Sequence, residues 1–351
     1  MLAAESAQTG WQAELKLQFA KRSDKTILAS RYQRGPLAVQ RPFYPEAEIC
    51  HAYVLHPPGG VVGGDELHLH FTVGANARAL LTTPGATKFY RSAGMQATQH
   101  QHFHITDGCL EWLPQENIFF PNANFLLTTE VHLSGEAQYI GWEVHCLGRP
   151  VIGETFATGK AIFKTALYRD NKPLVLDRLV INGEGDLQLA AGLRSQPVVA
   201  TLFATNADNT LLENLRPLCE NVCENLAMGT AGVTLLNGVL ILRYLVTAPN
   251  KRTGYCAVLG KPYAPLSWVN PRHRRASGIL KEHNDGTHPP RKRQAHALHR
   301  RIAGRTPQSA WRKTQLPRSD CLHQLRDYGR RTRWAFRRRN DGLWAYFAHP
   351  R

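Results

Sequence analysis

The alternation of apolar and polar residues along short runs is the strongest constraint on this chain. Over residues 66–73, Leu67, Leu69, Phe71 and Val73 fall on one side of an extended strand, and Glu66, His68, His70 and Thr72 fall on the other. The same period recurs at residues 10–19, 77–83, 100–105, 125–133, 160–169 and 174–181, with Gly and Pro between the runs. The intervals are too short for crossover helices, so the pattern predicts a mainly β chain of many strands, largely antiparallel, and not a βαβ fold. One helix is predicted after Asp208, a candidate N-cap, from Leu211, Leu212, Leu215 and Leu218; Pro217 opposes a long continuation. An apolar run over residues 233–246 is broken by Asn237, Gly238 and Arg243. It is shorter than the ~20 residues of a membrane helix and reads as a buried hairpin about a type I′ Asn237-Gly238 turn.

Charge divides the chain. Residues 1–250 carry 19 Lys and Arg against 22 Asp and Glu, whereas residues 251–351 carry 24 against 5. In that second part Arg, His, Pro and Trp mix without alternation, caps or heptads, so no apolar face can be buried and disorder is expected. The predicted domains are a β scaffold over residues 1–245 and an Arg-rich tail over residues 246–351. Seven cysteines, an odd number without disulfide-like clustering, together with the lack of a signal-peptide pattern, point to a reducing cytoplasm.

Four segments demand special backbone geometry. His56-Pro57-Pro58-Gly59-Gly60-Val61-Val62-Gly63-Gly64-Asp65 packs four glycines and two prolines ahead of a strand, with a carboxylate at its exit. The others are Thr83-Pro84-Gly85-Ala86-Thr87-Lys88-Phe89-Tyr90-Arg91, Glu111-Trp112-Leu113-Pro114-Gln115-Glu116 with Ile118-Phe119-Phe120-Pro121, and Cys146-Leu147-Gly148-Arg149-Pro150-Val151-Ile152-Gly153-Glu154. With Gly35-Pro36-Leu37 and Gln40-Arg41-Pro42-Phe43-Tyr44-Pro45, these segments resemble the urease accessory protein family UreD, called UreH in some organisms. The resemblance runs over about residues 10–245.

The resemblance implies a β-solenoid-like scaffold with one or two short helices, a chaperone and not an enzyme. It implies binding to apo-urease and to the accessory protein UreF, and through UreF to the GTPase UreG. It also implies no tightly bound cofactor, with nickel in transit through an internal passage toward the urease active site. Such a passage needs oxygen or imidazole groups that bind weakly enough to release. Asp65, Thr87, Glu143 and Glu184 sit in or beside matching segments and are the candidate lining; turn capping or surface charge accounts equally well for Asp65 and Thr87 and is the plainer reading of Glu143 and Glu184. His100, His102 and His104 share one strand face and could hold nickel at a surface, although a solvated polar face accounts for them more simply. Cys219 and Cys223 lie one helical turn apart and could meet a soft metal, but buried packing explains them better.

Two rival functions come from other classes. Arg291-Lys292-Arg293, Arg300-Arg301, Arg330-Arg331 and Arg337-Arg338-Arg339 with Trp311, Trp334 and Trp344 could hold nucleic acid through phosphate contacts and stacking, but they match no module. A β-rich metallohydrolase would need paired His and carboxylate motifs, and none is evident. The tail itself reads as an out-of-frame translation beginning near Leu245. Codons can be chosen for residues 272–280 that, displaced by one base, encode Pro-Pro-Pro-Arg-Ile-Trp-Asn-Thr and a stop, close to the family's ending. The same exercise over residues 246–260 gives a believable terminal helix, and over residues 284–295 a segment resembling the start of the urease γ subunit.

Overall fold

A computed structural model describes residues 10–226 and 229–247, and two short strands at Arg333–Arg338 and Trp344–His349. Those two strands pair antiparallel in a unit of their own. Trp334, Arg337, Arg338 and Trp344 of the basic and aromatic clusters fall on these strands; the rest of the tail, with the other clusters and the disorder expected there, lies outside the described residues.

The chain begins with the antiparallel hairpin β1 (Gln12–Arg22) and β2 (Lys25–Arg34), then β3 (Ala38–Val39) and β4 (Cys50–Leu55). Three circuits follow. The first is β5 (Glu66–Val73), β6 (Arg78–Thr82) and β7 (Thr87–Phe89); the second is β8 (Ala97–Thr106), β9 (Cys109–Trp112) and β10 (Asn117–Phe119). The third is β11 (Asn124–Ser134), β12 (Gln138–Arg149) and β13 (Glu154–Thr155), after which β14 (Lys160–Arg169) and β15 (Lys172–Ile181) form a hairpin. The short helix α1 (Gly183–Gln188) leads to β16 (Val198–Thr205), α2 (Asn209–Leu226), β17 (Gly229–Leu236) and β18 (Val239–Val246).

Successive circuits stack in parallel. Strands β1, β5, β8, β11 and β14 lie side by side in one sheet and β4, β6, β9 and β12 in a second, from which β7, β10 and the far end of β12 branch as a short arm. The architecture is therefore mainly β and solenoidal, with two helices among the described residues. The expectation of a largely antiparallel chain fails for the central strands. Parallel neighbours usually need a helical crossover; here the return path is the strands of the other sheet, and alternation is the same for either pairing. Antiparallel pairing flanks this parallel stack, at β1 with β2, β3 with β4, β12 with β13, β14 with β15, and β12, β16, β18 and β17 in sequence.

Stacking identical positions lines up like side chains inside the solenoid. Phe71 lies parallel to Phe103 at 4.9 Å, and Phe89 to Phe119 at 4.7 Å, with Leu15, Leu17, Phe19, Phe125 and Leu127 in the same core. Even-numbered residues of β12 point the other way and join a satellite core with Val198, Ala200, Leu202, Leu240 and Leu242. Helix α2 covers that core with Leu211, Leu215 and Cys219. Asp208 caps it as expected, its Oδ1 accepting the Leu211 N–H at 2.8 Å. The helix runs past Pro217 to Leu226, further than expected. Burial of its apolar stripe outweighs the single hydrogen bond that the proline removes. At the Asn237-Gly238 turn both residues have positive φ, 50° and 74°, as type I′ requires.

Candidate functional site

The four glycine- and proline-shaped segments, scattered along the sequence, meet in space. Val61 bridges to Phe89, and β7, β10 and the end of β12 run in register beside it, so all four segments contribute to the short arm of the second sheet. Its first rung is Thr87, Asn117 and His145; two residues on, Phe89, Phe119 and Leu147 occupy the next inward rung. Tight corners are what allow so short an arm to close each circuit.

Inside this corner lies a buried polar cluster. Odd residues of β12 face inward, so Tyr139, Glu143 and His145 enter the core with Leu147. The Thr129 hydroxyl, 1% exposed on β11, donates to Glu143 Oε1 at 2.5 Å. His145 Nε2 lies 3.4 Å from Glu143 Oε2, and its Nδ1 lies 3.5 Å from Asn117 Nδ2. Its ring stacks on Phe163 at 3.9 Å and meets Phe119 edge-on. Beside Thr129 in register are Gln101 and Thr165, both buried, and the Gln101 Oε1 has no protein partner. A buried carbonyl oxygen left unpaired costs about 1–3 kcal/mol. Oxygen and imidazole groups held thus in the apolar interior are the chemistry a mobile divalent ion can use.

Room for the cluster depends on a missing side chain. An added Cβ on Gly141 would lie 2.0 Å from the Tyr139 hydroxyl, so only glycine lets the phenol lie along β12 toward Glu143. Burial, with the nearby Glu143 charge second, pushes the Tyr139 phenol well above its ordinary pKa.

The expected lining residues separate. Glu143 is buried at the centre of the cluster, and Thr87, half-buried, stands on the rung of Asn117 and His145. Asp65 is buried elsewhere, where Oδ1 accepts the Trp11 N–H and Oδ2 the Val62 N–H, both at 2.9 Å. Its carboxylate thereby ties the Gly-rich loop, with Gly64 at φ +94°, to the first strand. Glu184 is exposed in the first turn of α1, its Oε1 accepting from Gln188 at 3.2 Å. Sequence reasoning missed His145, Asn117, Thr129 and Gln101. The parity of β12 was a signal for His145, two residues beyond Glu143.

The other titratable groups lie outside the solenoid core. His100, His102 and His104 sit on the outward face of the first sheet, as expected, and register places His68 and His70 on one side of them and His132 on the other. Burial holds His70, His100 and His104 below the ordinary imidazole pKa, with neighbouring imidazoles adding to it. On the second sheet, burial pushes Glu111 up to about 7 despite the opposing Arg78 charge, and lowers His51 to about 4. The Glu46 carboxylate, 3.7 Å from His51 Nε2, is too distant to hold a proton on that ring. No disulfide joins Cys50, Cys109, Cys146 and Cys219; Cys219 packs in the satellite core, while the side chain of Cys223 lies outside those described. Among the described residues no helix is long and apolar enough to cross a membrane.

Comparison with known proteins reproduces the resemblance. The family model described as UreD urease accessory protein matches residues 12–252. The chain is 45% identical over 253 residues to the urease accessory protein UreD of Alcanivorax borkumensis, covering 71% of this chain and 85% of that one. It is 45% identical over 247 residues to that of Aliivibrio fischeri (68% and 86%), and 45% identical over 238 residues to that of Klebsiella aerogenes (67% and 84%).

Proposed function

Because the chain belongs to the UreD family of urease accessory proteins, we propose that residues 1–245 act as a maturation scaffold that binds apo-urease and UreF, reaches UreG through UreF, and passes nickel through its interior. As an accessory protein it performs no bond-making step of its own. Nickel is cargo in this reading, held in transit and not kept as a cofactor. The cytoplasm, where urease would be assembled, is its proposed location.

The observation that carries the reading is the buried Glu143, His145 and Thr129 cluster with the unpaired Gln101 oxygen. A carboxylate and an imidazole at 3.4 Å, each almost wholly buried, are costly to keep unless they serve a purpose. Glu143 offers an anionic oxygen and His145 a ring nitrogen, and the hydroxyl of Thr129 and amides of Asn117 and Gln101 can replace part of an ion's water shell. Thr87 stands at the edge of the same rung. Asp65 supports the path indirectly by fixing the Gly-rich loop, and Glu184 offers an exposed carboxylate where an ion could enter or leave.

Co-expression of the full chain with the other accessory proteins and apo-urease tests this. Glu143→Gln keeps the shape and removes the charge. It is expected to co-purify with the partners as the parent does, while urease nickel content and activity fall several-fold. Parent-level nickel content with Glu143→Gln and with a His145→Ala variant would refute the interior route; loss of co-purification in the parent chain would refute the scaffold.

We further propose that the tail is an out-of-frame extension outside the functional domain. The family match stops at residue 252, where the strongly basic composition begins. An intact reading frame through the Leu245 codon in independent isolates would overturn this.

A further inference from the structure

The outward face of the first sheet gathers six imidazoles on three adjacent strands: His68 and His70 on β5, His100, His102 and His104 on β8, and His132 on β11. Parallel register sets His68 beside His100, His70 beside His102 and His104 beside His132, with ring centroids 5.0, 5.1 and 4.9 Å apart. Along the strands His68 and His70 are 6.2 Å apart, and His100 and His102 are 6.4 Å apart. Glu130 stands among them, its Oε2 3.5 Å from His102 Nδ1 and 3.8 Å from His132 Nε2.

Both contacts are long for hydrogen bonds. They match another spacing better. Two donor atoms each about 2.1 Å from a tetrahedral ion lie roughly 3.4 Å from each other. A carboxylate oxygen with an imidazole nitrogen on either side at nearly that distance is the arrangement of ligands that share an ion.

We propose that His102, Glu130 and His132 form a surface site for a divalent transition-metal ion of the imidazole-preferring class, such as nickel or zinc, with His104 and His70 as neighbouring donors. As the rings now stand, no three His, Cys, Asp or Glu side chains among those described surround one point. Closing the site takes rotation of the imidazoles about χ2, a soft torsion. The side chains of His102, Glu130 and His132 are 28%, 44% and 33% exposed, and the turn exchanges ring stacking on His70, His104 and Tyr168 for ligation of the ion. Two imidazoles and a carboxylate favour nickel or zinc over calcium and magnesium, which require more oxygen ligands, and over copper(I), which prefers sulfur. The site is on the outside of the solenoid and shares no residue with the Glu143 cluster, so it stands apart from the interior reading.

Equilibrium dialysis of the full chain against nickel alone, near neutral pH, with nickel-edge X-ray absorption on the loaded protein, provides the test. Histidines of the tail are common to every variant, so the difference between parent and variant reports this site. The double variant His102→Ala with His132→Ala is expected to lose one bound nickel per chain and the corresponding imidazole scattering. Glu130→Gln, which preserves the stack, is expected to weaken the same site several-fold. His145→Ala is expected to leave it intact, which separates this result from any failure of the interior route. Unchanged nickel stoichiometry and affinity in both the double variant and Glu130→Gln would overturn the proposal and leave the stacked rings as a packing ladder.

Discussion

At the scale of single residues, the buried polar groups differ in how far their neighbours answer them. Glu143 has Thr129 and His145; Glu111, on the other side of the second sheet, has chiefly burial and a partly compensating Arg78. That difference has a measurable outcome. In the folded chain Glu111 holds its proton to about pH 7, while the unfolded chain releases it near 4.5, so the unfolded state binds fewer protons between those values. Stability attributable to Glu111 therefore falls as pH rises through that window. Glu111→Gln does not titrate, and its stability relative to the parent is expected to improve by up to ~3 kcal/mol from the acid to the neutral side, read by chemical denaturation. His51 acts in the opposite sense, since its ring stays neutral down to about pH 4, and it is unchanged in that comparison. Little of this was legible in the sequence. Alternation separates inward from outward residues, which places Glu143 and His145 together once one of them is known to face in. It does not reveal that Thr129, from another strand of the same circuit, and Asn117, from the circuit before, will meet them.

At the scale of elements, the strand runs were legible because each needs only its own residues to show a two-residue period. Residues 160–169 coincide with β14, and residues 174–181 with most of β15. Which strands would pair was not legible, because parallel and antiparallel neighbours demand the same alternation. Helix α2 shows the converse. Its start could be read from Asp208, a local signal, but its length could not, because what carries it through Pro217 is the satellite core contributed by β12, β16 and β18. Removing the cap with Asp208→Ala is expected to cost about 1 kcal/mol and to lower the thermal midpoint by a few degrees, without changing the sheet signal in circular dichroism. No loss of stability would mean that packing alone sets the helix start.

At the scale of the whole molecule, the described scaffold completes its circuits and both cores before the basic tail begins. Deleting the residues after Val246 is therefore expected to change urease activation little in cells that carry the other accessory proteins, whereas restoring the family's reading frame should raise it. A deletion that abolished otherwise good activity would assign the tail a role. The parallel register also limits how such a chain can change in length. Within β5, β8 and β11 each residue is aligned with its counterpart in the circuits above and below. One extra residue there would turn every later side chain on that strand over, sending phenyl rings to the solvent and imidazoles into the core, whereas the same residue added at a bend would only enlarge a loop.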